Sequence, residues 1–175
     1  RLLVRWRLLE PGQESKDEAT GPDYVPVAYG VYERPPGAKW EGAVQITAAL
    51  LQTLKEKTEA AGARLAVVMA TAPEQVYPER WDRIRASYRP MLERRYDLEQ
   101  PNRIAAQLLE EMGIPYLDLL PEFSAQAQAG GEVLHLCHDG HWTDAAHWLA
   151  AELLYDFLTT QHLVPPSFPS SALCF

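Results

Sequence analysis

Two short apolar runs, each directly after a helical segment, constrain the fold of this chain more than any other feature. The first is RLAVVMA over residues 64–70, and the second lies within IPYLDLL, over residues 115–119. A short run that is apolar throughout is typical of a strand buried on both faces of a sheet. Alternation of helices with such strands is a βαβ rhythm with right-handed crossovers, which predicts an α/β fold.

Four helices are predicted around these strands. Apolar residues recur at helical spacing in each of them, and Pro101 and Gly113 mark the start and stop of the third. Two strands are too few for a complete doubly wound sheet, so the pattern is that of the second half of one. The predicted helices cover residues 40–62, 79–95 (bent or broken near Pro90), 101–113 and 144–158.

Composition divides the chain into four segments. Residues 1–9 predict the end of a preceding helix, and residues 40–160 the α/β domain. Between them, residues 10–39 hold five prolines and four glycines, which predicts a linker or insertion in which VAYGVYE is a candidate ordered patch. Residues 161–175 predict a loose, proline-rich tail. Because the first residue is an arginine, we expect the sequence to be a piece of a longer protein.

The charge balance argues against a nucleic-acid partner. Lys and Arg number 16 against 24 Asp and Glu, a net charge of −8, which repels a phosphate backbone. No apolar run reaches the ~18–20 residues that span a bilayer. The two cysteines, Cys137 and Cys174, form neither a disulfide framework nor a CxxC pair. Nothing in the sequence indicates the compartment.

Four of the five histidines lie in HLCHDGHWTDAAH, residues 135–147, directly ahead of the last helix. One interpretation is catalytic. With Gly140 permitting a tight turn, Asp139 could accept the Nδ1–H bond of His141, fix its tautomer and leave Nε2 pointing outward. The carboxylate would also offset the positive end of the helix, which disfavours a cationic imidazole.

Two other interpretations stay open on the residues alone. The first is a metal site, although neither HExxH nor a paired CxxC is present, and we predict no metal. The second is a polar loop in which Thr143 caps the helix and His147 is a surface or packing histidine. The candidate ligands of a metal would be His135, Cys137, His138, Asp139 and His141.

The stretch HDGHWTDAAHWLAAELL resembles the last sequence block of SGNH/GDSL hydrolases, in which an Asp and a His precede a helix. Its D-x-H-W form is most like bacterial members that include relatives of the polysaccharide O-acetylation proteins. The helix from Trp40, then GARLAVVMATAP and GIPYLDLLPEF, follow the order of that family's C-terminal half, so the resemblance covers residues 40–158. It implies a three-layer α/β/α, flavodoxin-like fold that lacks its N-terminal strands. It also implies that Asp139 and His141 are the acid and base of a Ser–His–Asp triad, with no cofactor and with a small-molecule or carbohydrate ester as substrate.

The family's nucleophile is missing from this sequence. No serine follows Gly-Asp, and no G-x-N-D stretch supplies oxyanion donors, so we expect the serine to precede Arg1 and this chain alone to be inactive. The resemblance thus implies the C-terminal portion of an acyl or acetyl esterase. The alternatives are a polysaccharide O-acetyltransferase with the same triad and a non-catalytic or degenerate α/β binding domain. The serines are Ser15, Ser87, Ser124, Ser167, Ser170 and Ser171.

Overall fold

A computed structural model describes residues 24–164, in which helices and strands follow one another in the predicted order. Two 3₁₀ helices, Val27–Tyr32 and Arg89–Glu93, accompany them. The α-helices are α1 (Ala38–Ala60), α2 (Pro73–Val76), α3 (Pro78–Ser87), α4 (Gln100–Glu111), α5 (Leu120–Gln128) and α6 (Asp144–Thr160), and the strands are β1 (Val67–Met69) and β2 (Tyr116–Asp118).

Strands β1 and β2 pair in parallel, with Val67 opposite Tyr116 and Met69 opposite Asp118. Their pairing confirms the predicted βαβ rhythm and the α/β class. The prediction that the first strand is buried on both faces is wrong, because Val68 is 42% exposed. Successive side chains of a strand point to opposite faces, and within residues 24–164 the face that carries Val68 is open to solvent. The described strands form a two-stranded sheet, which leaves the predicted three-layer arrangement undefined.

The long helices lie where apolar periodicity predicts them, and the break near Pro90 is confirmed. Helix α3 ends at Ser87, Tyr88 is extended, and the chain resumes as the 3₁₀ helix that contains Pro90. Proline lacks a donor N–H and disfavours helical geometry in the residue before it, which prevents one continuous helix. Helices α2 and α5 were not predicted from the sequence. Both are short and start with a proline in the first turn.

One hydrophobic core lies under the segment that carries the histidines. Its side chains come from α2, from the end of β2, from α5, from the loop before α6 and from α6 itself. They bring that loop against the carboxyl end of the sheet, where parallel α/β folds place their ligand sites. The buried members are Val76, Leu119, Leu120, Phe123, Leu134 and Ala146.

A second, aromatic core incorporates part of the predicted linker. Tyr32 and Trp81 are both buried, with ring centroids 5.6 Å apart in an edge-on arrangement. The candidate patch VAYGVYE forms the first 3₁₀ helix. Residues 24–39 therefore pack on the domain, because their tyrosines cover Trp81. Residues 1–23 and 165–175, which include the predicted helical end and most of the tail, lie outside the described residues.

Among the helices of residues 24–164, none combines the length and apolarity needed to cross a membrane.

Candidate active site

The histidine-rich segment forms a tight hairpin in place of the simple loop that its sequence predicts. The N–H of Leu136 donates to the carbonyl of His141 at 2.7 Å, and the N–H of Thr143 donates to Leu134 at 3.0 Å. These bonds bring His135 and Trp142 opposite each other as an antiparallel bridge. The turn itself is closed by the N–H of Gly140, which donates to Leu136 at 3.0 Å. The hairpin thus holds residues 137–141 at an exposed tip with a defined backbone.

The structure brings Asp139 and His141 together at this tip. Nδ1 of His141 lies 3.1 Å from Oδ2 of Asp139, and the backbone N–H of His141 donates to Oδ1 at 3.0 Å. The Asp139 side chain is 54% exposed and the His141 side chain is 78% exposed. Within the described residues Nε2 of His141 has no hydrogen-bond partner. Asp139 therefore fixes both the backbone and the ring of His141 while the second ring nitrogen stays available.

The same contacts keep the carboxylate ionised. The pKa of Asp139 is lowered, chiefly by the hydrogen bond from the backbone N–H of His141 and next by the bond to its ring. An ionised Asp139 can orient a neutral imidazole and stabilise the imidazolium that forms when the ring takes a proton.

The base of the hairpin is anchored on α6 and on the first core. The Thr143 side chain caps α6 as predicted, since it accepts from the N–H of Ala146 at 3.3 Å and donates to the carbonyl of Val133 at 2.7 Å. The ring of Trp142 packs on Phe123, with centroids 5.2 Å apart. These contacts connect the exposed tip to the most buried part of the molecule.

Gly140 is required at the tip for two reasons. Its φ is +75°, a backbone conformation that residues with a Cβ rarely adopt. A Cβ at this position would also lie 3.0 Å from Cγ of Pro73 and 3.6 Å from a guanidinium nitrogen of Arg80. The hairpin tip therefore sits directly on the α2–α3 segment.

His135 points into the core, away from His141. It is 2% exposed, with Nε2 lying 3.2 Å from Oγ1 of Thr71. Its ring is edge-on to Tyr77 and Phe123, and Nδ1 has no hydrogen-bond partner in the part of the chain that the structure describes. Burial lowers the pKa of His135, so the ring is neutral at pH 7. Because Thr71 follows β1 by two residues, His135 ties the hairpin to the carboxyl end of the sheet.

The candidate metal ligands do not converge. His135 is buried, whereas Cys137 and His138 are exposed on the hairpin tip. In the part of the chain that the structure describes, no three His, Cys, Asp or Glu side chains are grouped so that they could hold a metal ion. His147 is also exposed, with its ring edge-on to Trp142.

Neither serine in the described region faces His141. The Ser87 hydroxyl donates to the carbonyl of Arg83 within α3. Ser124 lies on α5 and lines a separate cavity of about 310 Å³ with Asn102 and Asp118. The pair at the hairpin tip therefore has no serine nucleophile among residues 24–164.

A polar network at the ends of the strands was missed by the sequence analysis. Nε2 of Gln75 donates to Oδ1 of Asn102, and Nδ2 of Asn102 donates to Oδ1 of Asp118, both at 2.8 Å. Asp118 also accepts from the N–H of Leu120. These residues come from α2, α4 and β2, so no local pattern unites them. The one available signal was a carboxylate that ends an otherwise apolar strand. The network holds α2, and with it the support of the hairpin tip, against the sheet.

An α/β unit with an acid–histidine hairpin ahead of a helix is compatible with an SGNH hydrolase-like domain. Residues 33–170 match the family described as "SGNH hydrolase-like domain, acetyltransferase AlgX", and the chain belongs to that family. The match confirms the SGNH resemblance and extends it beyond residues 40–158 at both ends. Searches of curated proteins and of solved structures returned no match.

Proposed function

We propose that this chain supplies the acid–base half of a Ser–His–Asp centre that transfers an acetyl group to a carbohydrate hydroxyl. The observation that carries the proposal is the 3.1 Å contact between Nδ1 of His141 and Asp139 at an exposed hairpin tip. Membership of an acetyltransferase family favours an alcohol over water as the acceptor. Asp139 is the orienting acid and His141 the base.

The chemistry proceeds in two half-reactions. In the first, Nε2 of His141 takes the proton of a serine hydroxyl as the serine oxygen attacks the acetyl carbonyl of a donor ester. The imidazolium then returns that proton to the leaving alcohol, and an acetyl-serine remains. In the second, His141 takes the proton of the acceptor hydroxyl, whose oxygen attacks the acetyl-serine, and the serine leaves with the proton. Asp139 stabilises the imidazolium in both steps.

The serine and the oxyanion donors would come from sequence outside these 175 residues, on either side. The hairpin suits that arrangement because His141 is exposed and its Nε2 is unoccupied by the described residues. A fixed backbone and an ionised Asp139 would present the ring to a partner segment in one orientation. Such pre-organisation reduces the reorganisation that the transition state requires.

Ester hydrolysis is the second candidate. It shares the acetyl-serine, and only the acceptor of the second half-reaction differs. The exposure of the His141 side chain, 78%, favours it where no other segment covers the site, since water can then approach Nε2. A third possibility, a non-catalytic binding domain, predicts no acetyl-enzyme at all.

The test uses the complete gene product, an activated acetyl ester and an oligosaccharide acceptor. His141→Gln should lower the rate of acetyl-enzyme formation by about 10³–10⁴-fold or more, and Asp139→Asn by about 10²–10⁴-fold. His138→Gln is the matched control, because His138 is exposed in the same tip and makes no side-chain hydrogen bond with the described residues. It should retain nearly full activity.

The products separate the candidates. Acetylated oligosaccharide in excess over free acetate would support transfer, and the reverse would support hydrolysis. Normal acetyl-enzyme formation by His141→Gln would exclude His141 as the base. A fluorophosphonate label, located by peptide mass spectrometry, should modify a serine outside residues 1–175. A label on any of the six serines of this chain would contradict the proposed division of the triad.

A further inference from the structure

A cavity of about 680 Å³ opens beside the aromatic core, on a part of the chain that the proposed chemistry does not use. Its walls combine four guanidinium groups with two aromatic rings, and we call it the arginine cavity. We propose that it binds the anionic group, a carboxylate or phosphate, of an organic ligand. The proposal is independent of acetyl transfer. The lining residues that carry it are Arg34, Arg85, Arg94, Arg95, Trp81 and Tyr96.

The charges around the cavity are unbalanced. Arg34 pairs with Asp97 at 2.9 Å, and Arg94 pairs with Glu33 at 3.2 Å. Asp97 is shared further, because it also contacts Arg103. Arg85 and Arg95 have no carboxylate partner among residues 24–164. The protein as a whole has a net charge of −8, whereas these two guanidinium groups are not neutralised. The electrostatic potential at the cavity is therefore locally positive and attracts an anion.

Two donors beneath the cavity wall lack acceptors. Nε of Arg85 and the hydroxyl of Tyr96 are buried without a hydrogen-bond partner among residues 24–164. Burial raises the pKa of Tyr96, so its hydroxyl remains a protonated donor at neutral pH. A buried donor without an acceptor costs free energy. If an acceptor entered the cavity, a small movement of the Arg85 and Tyr96 side chains toward it would relieve this cost at both groups.

The aromatic wall gives the cavity a rigid apolar side. Trp81 is 7% exposed, and its ring is edge-on to Tyr96 with centroids 5.2 Å apart. The rings of Tyr29 and Tyr32 pack edge-on against the same indole, with centroid distances of 5.8 Å and 5.6 Å. A guanidinium fork matches a carboxylate or phosphate in two-point geometry, and the rings can cover the organic body of the ligand. This combination favours a sugar acid or a sugar phosphate over a bare ion.

Calorimetric titration of the complete protein tests the proposal with four probes: glucuronate, glucose 6-phosphate, inorganic phosphate and neutral glucose. We expect the anions to bind and glucose to bind at least tenfold more weakly. Arg95→Gln should weaken anion binding by at least tenfold. Arg85→Gln should have a similar effect, while Arg85→Lys, which keeps the charge and loses the fork, should have a smaller one. Arg89→Gln, an arginine outside the cavity on the neighbouring 3₁₀ helix, is the matched control and should bind normally.

Comparison of the four probes distinguishes the classes of ligand. Preference for glucose 6-phosphate assigns a phosphate site, and preference for glucuronate assigns a carboxylate site. Inorganic phosphate binding as tightly as both organic anions would contradict the role of the aromatic wall. Glucose binding as tightly as glucuronate would overturn the proposal, and so would the absence of any heat of binding from all three anions at millimolar concentration. An equal loss in Arg89→Gln would show a diffuse field in place of a site. His141→Gln should bind the anions normally, which separates this result from the acetyl-transfer test. Thermal unfolding of each variant verifies that it is folded.

Discussion

The core under the hairpin and helix α1 are both rich in apolar side chains, yet those of the core are buried and those of α1 are largely exposed. Leu119 and Phe123 of the core are 0% exposed. Helix α1, with 23 residues, has no buried residue, and Leu50 and Leu54 are 52% and 49% exposed. The comparison teaches that an apolar stripe reliably predicts a helix. It does not predict that the stripe is buried, because burial requires another element to cover it.

Polar and aromatic contacts attach helix α1 to the other described residues. The Lys55 ammonium donates to the carbonyl of Met112 at 2.7 Å. Trp40 packs so closely on Gly30 that a Cβ there would lie 2.3 Å from the indole nitrogen. The hydrophobic contribution, about 25 cal/mol per Å² of apolar surface removed from water, is therefore made mainly by the core under the hairpin. Four predictions test this contrast.

Phe123→Ala should have the largest effect. Truncating a fully buried aromatic ring leaves a cavity beneath Trp142 and His135, and we expect a loss of about 3–5 kcal/mol in the free energy of unfolding. Leu54→Ala in α1 should cost less than about 1 kcal/mol, because half of its surface is already in water. Chemical denaturation measures both. Equal losses would mean that α1 is covered in solution and would break the comparison.

Gly140→Ala should destabilise the hairpin by about 1–2 kcal/mol, from the left-handed backbone and the close approach to Pro73. The control is Gly42→Ala, a helical glycine of α1 with no atom within 4 Å of the added Cβ. That substitution should stabilise the protein by about 0.5–1 kcal/mol. Thermal unfolding should therefore show shifts of opposite sign. Shifts of the same sign would contradict the strain assigned to the tip.

Acid should weaken the hairpin anchor through His135. Burial lowers its pKa below the ordinary 6.5, with Arg80 lowering it further and Thr71 and Glu74 opposing. The unfolded chain therefore binds more protons than the native one once the pH falls below 6.5. Above pH 6.5 this group does not reduce the free energy of unfolding. As the pH falls below 6.5, the group lowers that free energy by at most about 1.4 kcal/mol per pH unit. Denaturation between pH 7 and 5 measures the slope. His135→Gln should reduce it, whereas His138→Gln should leave it unchanged.

Thr143→Ala should have the smallest effect, about 1 kcal/mol, because the cap of α6 is lost. Thr53→Ala in α1 is the matched control. The Thr53 hydroxyl bonds only to the carbonyl of Ala49 within its own helix, and alanine has the higher helix propensity, so the change should be neutral or slightly stabilising. A Thr53→Ala loss as large as that of Thr143→Ala would contradict the capping role.

Local patterns predicted helices α1, α3, α4 and α6, both strands, the break near Pro90 and the cap at Thr143, because each depends on residues within one or two turns of the chain. The contact of Asp139 with His141 was also foreseeable, since two residues and one glycine determine it. The short helices α2 and α5 were not foreseeable, because four and nine residues carry too little periodicity. Neither was the network of Gln75, Asn102 and Asp118, whose members are distant in sequence.

By itself, the sequence determined where the four longest helices and both strands form, and which acid and histidine can meet. Its motif also indicated the family to which the chain belongs. Only the tertiary structure decided that His135 is buried while His141 is exposed, although both lie in one short polar stretch. The physical reason is that a hairpin assigns its side chains to opposite surroundings through long-range contacts, here with Thr71 and Phe123. The same reason applies to the arginine cavity, whose residues are brought together by packing around Trp81.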